Sequence, residues 1–228
     1  FTSTKRNGGD RDIYYMDPND PNSVKLILEV KGGGWGIQDL SLDNKTLLIG
    51  EYISANESHL WALDIETGKL TEVTDRKANG IIQNGANFSN NADEIWYLTD
   101  KDNEFERLAT FNLKTKKTNY YTSKIPWNVE GYRLSEDKKQ LVFTTNEAGL
   151  NKVYLMNTAD KTSTEVKNLP VGLIGGSAFT KDGKYVFFTQ STAKTSSDVY
   201  RLEIASGQIV PWTKSELGQI QESDISLP

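Results

Sequence analysis

Leu40-Ser41-Leu42-Asp43-Asn44-Lys45, followed by Leu60-Trp61-Ala62-Leu63-Asp64 and the turn Glu66-Thr67-Gly68-Lys69, decides the fold because it comes back along the chain. Its first part returns as Phe88-Ser89-Asn90-Asn91, Leu134-Ser135-Glu136-Asp137 and Phe179-Thr180-Lys181-Asp182, with first residues 48, 46 and 45 positions apart. Its second part returns as Leu108-Ala109-Thr110-Phe111-Asn112, Val153-Tyr154-Leu155-Met156-Asn157 and Val199-Tyr200-Arg201-Leu202-Glu203, spaced by 48, 45 and 46. One more copy, Ile13-Tyr14-Tyr15-Met16-Asp17, stands 47 residues before Leu60. Two independent series keeping one period mark a repeat architecture.

Each repeat reads as four short strands. In residues 35–74 these are Ile37 to Leu42, Thr46 to Tyr52, Leu60 to Asp64 and Leu70 to Thr74. They are separated by Asp43-Asn44-Lys45, the polar stretch 54–58 and Glu66 to Lys69. The turns are rich in Gly, Asn and Asp, where positive φ costs least, and Asp182-Gly183 is the strongest hairpin signal. No window sustains a period of about 3.6 residues, so helices are expected to be scarce. Four strands at a period in the mid-forties predict an all-β chain, a β-propeller of four-stranded blades. A lone four-stranded sheet leaves a face uncovered, so blades stack face to face. Trp61, Trp96, Tyr97, Phe111, Phe143, Tyr154, Phe187, Phe188 and Tyr200 fall on second and third strands and are expected in the core between blades.

The whole of residues 1–228 is expected to form a single propeller domain of about five repeats, near 1–33, 34–78, 79–124, 125–170 and 171–215, with 216–228 as an extra strand or exit linker. Phe1 aligns with Ile49, Tyr97, Phe143 and Phe188, so the first repeat starts within its second strand. Asp224-Ile225-Ser226-Leu227 resembles Asp39-Leu40-Ser41-Leu42 and stands where another first strand is due. Two readings follow: a five-bladed ring closed by that strand, or a piece of a larger ring.

Composition narrows the function. With 26 basic and 31 acidic residues, net −5, the chain has no electrostatic footprint for nucleic acid. No run of apolar residues is long enough for a membrane span. The absence of cysteine removes disulfides, thiolate metal sites and a cysteine nucleophile, and suits cytosol and periplasm alike.

The unit apolar-Ser-x-Asp-Gly/Asn-Lys, an apolar run, then apolar-Tyr/Trp-x-apolar-Asp-x-x-Thr-Gly-Lys, resembles TolB-like and WD-like propeller repeats. Leu40 to Lys69 and Phe179 to Gln208 carry it best. The segment Trp212-Thr213-Lys214-Ser215-Glu216-Leu217-Gly218, with Ser226-Leu227-Pro228, is similar to the exit from the propeller in serine peptidases of the prolyl oligopeptidase family, in their dipeptidyl and acylaminoacyl branches. That resemblance implies a non-catalytic propeller gating peptide access to an α/β-hydrolase domain placed after Pro228. The implied partner is then the peptide substrate of that domain. Such propellers usually have seven or eight blades, and this chain holds about five repeats. The alternative is a TolB-like or WD-like scaffold that binds a protein partner on one rim.

The residues offer no chemistry of their own. A serine peptidase needs nucleophile, imidazole and carboxylate in contact. The single histidine, His59, is expected to be an exposed hairpin residue. Gly175-Gly176-Ser177-Ala178-Phe179 falls short of the nucleophile elbow, with Phe in place of the last Gly and no following helix. Gly32-Gly33-Gly34-Trp35-Gly36 lacks the Lys-Ser/Thr of a phosphate loop and reads as a blade crossover. Asp17-Pro18-Asn19-Asp20-Pro21-Asn22 has oxygen ligands for Ca²⁺ but occupies a turn position, and the charged loop 102–107 reads as solvated. No metal or cofactor is expected. First strands begin near Trp35, Asn84, Trp127 and Ile174. The candidate binding residues, on the rim or in the channel, are therefore Trp35, Gln38, Asn84, Trp127 and Glu130, with Trp35 and Trp127 read either as exposed rim anchors or as wedges between adjacent blades. With Gly176, the positions Gln38, Asn84 and Glu130 make a poor metal-ligand set.

Overall fold

The computed structural model describes residues 1–220 and 222–225. The backbone divides into two compact units, Phe1–Ser123 and Lys124–Pro228. In the first unit, β1 (Thr2–Ser3), β2 (Asp12–Asp17) and β3 (Asp20–Leu28) form a three-stranded sheet. Two four-stranded sheets follow: β4 (Trp35–Leu40), β5 (Thr46–Ser54), β6 (Glu57–Asp64), β7 (Leu70–Glu72), and β8 (Gln83–Phe88), β9 (Glu94–Thr99), β10 (Arg107–Asn112), β11 (Thr118–Tyr120). The second unit repeats the pattern twice, in β12 (Val129–Leu134), β13 (Gln140–Glu147), β14 (Leu150–Asn157), β15 (Ser163–Glu165), and β16 (Leu173–Phe179), β17 (Tyr185–Ser191), β18 (Asp198–Glu203), β19 (Ile209–Pro211). All sheets are antiparallel meanders in chain order, the blade topology that the repeat predicts.

The repeat motif explains its own turns. Ser41 Oγ donates to Asp43 Oδ1 at 2.6 Å and accepts from the Thr46 N–H at 2.9 Å. Ser135 does the same with Asp137 and the Gln140 N–H at 2.7 and 3.0 Å. Thr180 does so with Asp182 and the Tyr185 N–H at 2.7 and 3.1 Å. The hydroxyl bond, seconded by the N–H two residues on, holds each of these aspartates below the usual carboxylate range. The next residue takes positive φ: Asn44 at 58°, Lys138 at 56°, Gly183 at 68°. The motif is thus a side-chain-locked tight turn between the first two strands of a blade.

The core lies between sheets. Leu48, Leu60 and Val73 of the second sheet share one cluster with Ala86, Phe88, Ile95, Tyr97, Ala109 and Phe111 of the third. Ile13 and Val30 meet Trp35, Ile49 and Leu63 across the first and second sheets. In the other unit, Val142, Val153 and Val166 meet Val186, Phe188 and Leu202. Each such side chain contributes about 1.5–3 kcal/mol on burial. Aromatic pairs add shape: Phe143 stacks on its cross-strand partner Tyr154 at 4.8 Å, and Phe188 on Tyr200 at 5.8 Å.

The structure bears on the expectations at three places. His59 is wholly buried on β6, because β5 and β6 continue to a tight turn at Ala55-Asn56 and take up most of the expected loop 54–58. Trp35 is only 9% exposed, its ring 5.8 Å from Trp61 and its Nε1 donating to Lys31 O, so of its two readings it takes the packed one and not the exposed anchor. Near the C-terminus, Glu222–Asp224 form one 3-10 turn and Ile225 joins no strand, while Ser226, Leu227 and Pro228 lie outside the described residues. That turn is the one helical element among the described residues.

Fourth strands are short and are closed by threonine. Thr74 Oγ1 accepts from the Leu60 N–H and Thr122 Oγ1 from the Leu108 N–H, both at 3.0 Å, and Thr213 Oγ1 from the Val199 N–H at 2.9 Å. Thr122 is 2% exposed, so Thr122→Val leaves a buried N–H without an acceptor. We expect a loss of about 1–3 kcal/mol, read as a lower urea midpoint at constant slope, with Thr122→Ser close to wild type. Equal losses in both variants would assign the effect to packing alone.

Candidate functional site

First strands carry an irregularity that the sequence period does not display. In all four four-stranded sheets the pairing of the first strand with the second is broken by a bulge. It falls between Ile37 and Asp39 in β4, Asn84 and Asn87 in β8, Val129 and Gly131 in β12, and Ile174 and Ser177 in β16. A bulge leaves a residue without a ladder partner and turns its side chain off the sheet's alternation. The bulged residues include Gln38, Glu130, Gly175 and Gly176, and Asn84 borders its own bulge. Gln38 and Glu130 are thus bulged themselves, two residues before Leu40 and four before Leu134, while Asn84 is paired with Leu98 at the border of its bulge.

In the first unit the bulges of β4 and β8 meet at a cavity of about 250 Å³, whose walls include Trp35, Gln38, Glu51, Tyr52, Gln83 and Asn84. Three of the five expected binding residues share this wall, Trp35 through its packed edge. Gln38 is exposed and lies over Gly50, where an added Cβ would stand 2.8 Å from its Nε2. Gly34 is required nearby, because a Cβ there would stand 2.1 Å from Tyr52 O; Gly172 has the same relation to Ser191 O in the second unit. Of the crossover glycines, Gly34 therefore serves close backbone approach, while Gly32 takes positive φ at 89°.

Asn84 Nδ2 donates to Glu106 Oε2 at 3.3 Å. This joins β8 to the charged loop 102–107, whose parts differ in environment. Asp102, Asn103 and Glu104 are exposed, whereas Arg107 is 7% exposed, with its guanidinium 3.9 Å above the Tyr120 ring and donating to Lys101 O. Burial raises the Glu106 carboxyl; the Asn84 amide opposes the rise and the nearby Asp100 charge adds to it.

Beside the cavity is a polar network that no sequence motif announces. Arg76 forks onto Glu51, Nε to Oε2 at 3.1 Å and Nη2 to Oε1 at 3.3 Å, and Trp61 Nε1 donates to the same Oε2 at 3.0 Å. His59 Nε2 lies 3.2 Å from Glu57 Oε1 and 3.4 Å from Arg76 Nη1, and its buried Nδ1 has no partner. The His59 bond, and then the Gly80 N–H, keep Glu57 below the usual carboxylate range. The imidazole faces a carboxylate and a guanidinium and no serine hydroxyl, so it is not the base of a triad. The residues involved are scattered over β5, β6 and the following loop, and only their pairing in three dimensions reveals them.

In the second unit Glu130 is exposed but held: Asn146 and Asn151 donate to its two oxygens at 3.0 and 2.7 Å. Asn151 Oδ1 in turn accepts from the Ile174 N–H at 2.7 Å, linking β12 to the start of β16. Trp127 precedes β12 and is half-buried. Ser177 sits within β16, paired with Phe188. In Asp17 to Asn22 the aspartate oxygens accept from the N–H groups of Asn19 and Asn22, which uses them in turn closure. Among the described residues no group of acidic or imidazole side chains is arranged to hold a metal ion, and no helix is long and apolar enough to cross a membrane.

The raised Glu106 carboxyl has a definite sign. Its charged form is penalised in the folded state, so the penalty is full above the folded pKa and vanishes below the unfolded one. Glu106→Gln keeps a partner for Asn84 and removes the charge. We expect it to raise the urea midpoint at pH 7 and to leave it unchanged at a pH below the ordinary carboxylate range. A gain of equal size at both pH values would contradict the assignment.

Comparison with known proteins completes the picture. No curated protein matches the chain. Among solved structures, prolyl oligopeptidase B from Galerina marginata superposes with a TM-score of 0.81 at 13% identity, over 98% of this chain and 33% of that one. A prolyl endopeptidase studied for inter-domain dynamics in catalysis and specificity gives 0.76 at 15% identity, over 93% and 32%. TolB from Acinetobacter baumannii gives 0.63 at 15% identity, over 91% and 50%. The chain therefore spans about a third of the prolyl oligopeptidases and half of TolB. At these identities the likeness shows the fold. Residues 3–215 match the family model of the prolyl oligopeptidase N-terminal beta-propeller domain, and the chain belongs to that family.

Proposed function

We propose that this chain is the non-catalytic propeller of a prolyl oligopeptidase-type serine peptidase and that it limits which peptides reach an α/β-hydrolase domain encoded elsewhere in the same protein. The observation that carries the reading is the family match over residues 3–215. The lack of a serine–histidine contact at His59 agrees with it. The relative from Galerina marginata was captured with a 35mer substrate, which makes a peptide the natural cargo.

The gate works by size. A rigid stack of sheets admits an extended chain and excludes a folded domain, so it needs no reactive group. In this reading the blades belong to one domain, a part of a seven- or eight-bladed parent. Gln38, Asn84 and Glu130 offer amide and carboxylate groups to a passing backbone. The Asn146 and Asn151 amides fix the Glu130 carboxylate in advance, so it loses little freedom on contact. Trp127 stands at the head of β12, where a protein or peptide can pack on it.

A second reading, a TolB-like scaffold for a protein partner, draws on the second unit. Leu150 and Val171 line one cavity there, 46% and 72% exposed, next to Leu173 at 53%. Exposed apolar side chains grouped in this way suit a partner surface.

Hydrolysis of fluorogenic peptides of increasing length separates these readings. We expect the full protein to cleave short peptides, to slow as length grows and to spare folded proteins, and the isolated chain to be inactive. An isolated chain that hydrolyses peptides, or a full protein that cleaves folded substrates as fast as short ones, would overturn the gating role.

A further inference from the structure

The chain contains three Asn-Gly pairs: Asn7-Gly8, Asn79-Gly80 and Asn84-Gly85. Glycine has no side chain to shield its nitrogen, and its backbone freedom lets that nitrogen turn toward the preceding carboxamide. The three pairs are chemically equal in an unfolded chain. Folding makes them unequal.

Asn7 is tied down. Its side-chain amide is fully engaged: Nδ2 donates to Asp10 Oδ2 at 2.6 Å, and Oδ1 accepts from the N–H groups of Gly9 and Asp10. Asn84 lies on β8, half-buried, with Nδ2 on Glu106. Asn79 differs from both. It is exposed, it sits in the crossover between β7 and β8, and among the described residues its side-chain amide has no hydrogen-bond partner. Gly80 is exposed as well, with φ at 67°; its N–H donates to Glu57 Oε2 at 3.3 Å, and nothing stands within 4 Å of where a Cβ would be.

We propose that Asn79 is a site of spontaneous deamidation, which the fold selects over the other two pairs. The Gly80 nitrogen loses its proton and attacks Asn79 Cγ. A new N–C bond closes a succinimide ring, and the Cγ–Nδ2 bond breaks as ammonia leaves with a proton. Water then adds to either imide carbonyl and opens the ring, giving aspartate or isoaspartate at position 79. Nothing is oxidised or reduced, and water is the only co-reactant.

The site bears on the network described above. The Gly80 N–H donates to Glu57 Oε2 at 3.3 Å, and Glu57 holds buried His59. Deamidation places a new carboxylate one residue from that bond, and isoaspartate inserts a methylene into the backbone and displaces the N–H. The reaction therefore loosens the crossover from β6.

Peptide mapping by mass spectrometry after incubation at mildly alkaline pH tests the proposal. In the folded chain we expect Asn79 to convert at least about tenfold faster than Asn7 and Asn84, the ratio that local hydrogen bonding and strand protection impose. In urea the three rates should converge. Asn79→Ser should abolish the fastest product and leave the thermal melt unchanged. Equal rates at the three pairs in the folded chain, or a folded-state order that persists in urea, would overturn the proposal.

Discussion

A four-stranded antiparallel meander has two faces, and in the third sheet the middle strands are buried on both. β9 is buried along nearly its whole length, and β10 likewise. Such a sheet needs a neighbouring sheet to cover its apolar surface. The clusters that join the second sheet to the first and third, and the fourth to the fifth, are the direct expression of that requirement. Everything else described here depends on it: the spacing of the repeat, the shortness of the outermost strands, and the freedom of the first strands to carry bulges.

The turns keep the stack in register. Because the Ser/Thr-x-Asp motif satisfies its own hydrogen bonds, the junction between first and second strands is fixed before any sheet packs on another. Threonine bonds at the far edge do the same for the last strand. Both locks are present in the second and fifth sheets and one each in the third and fourth, and the first strands carry bulges at Gln38, beside Asn84, at Glu130 and at Gly175-Gly176.

The sheet order and most strands were legible from period and alternation alone, because local hydrogen bonding and face burial both follow a period of two. What escaped the sequence was the position of side chains that break that period. His59 reads as a loop residue only if the hairpin is assumed long; two extra pairs, Glu51 with His59 and Tyr52 with Ser58, carry the strands past it. Trp35, at the start of a strand, reads either as a rim anchor or as a wedge between blades; β4 begins at Trp35 itself and packs it against Trp61. The bulges and the Arg76–Glu51 fork join residues far apart in sequence, and no single stretch encodes them.

Methyl–methyl NOE spectroscopy tests the central claim most directly. If neighbouring sheets share their cores, cross-peaks should connect the Leu48 and Leu60 methyls with those of Ile95 and Ala109, and the Val142 and Val153 methyls with those of Val186 and Leu202. Cross-peaks confined within each sheet, with none between successive sheets, would contradict it.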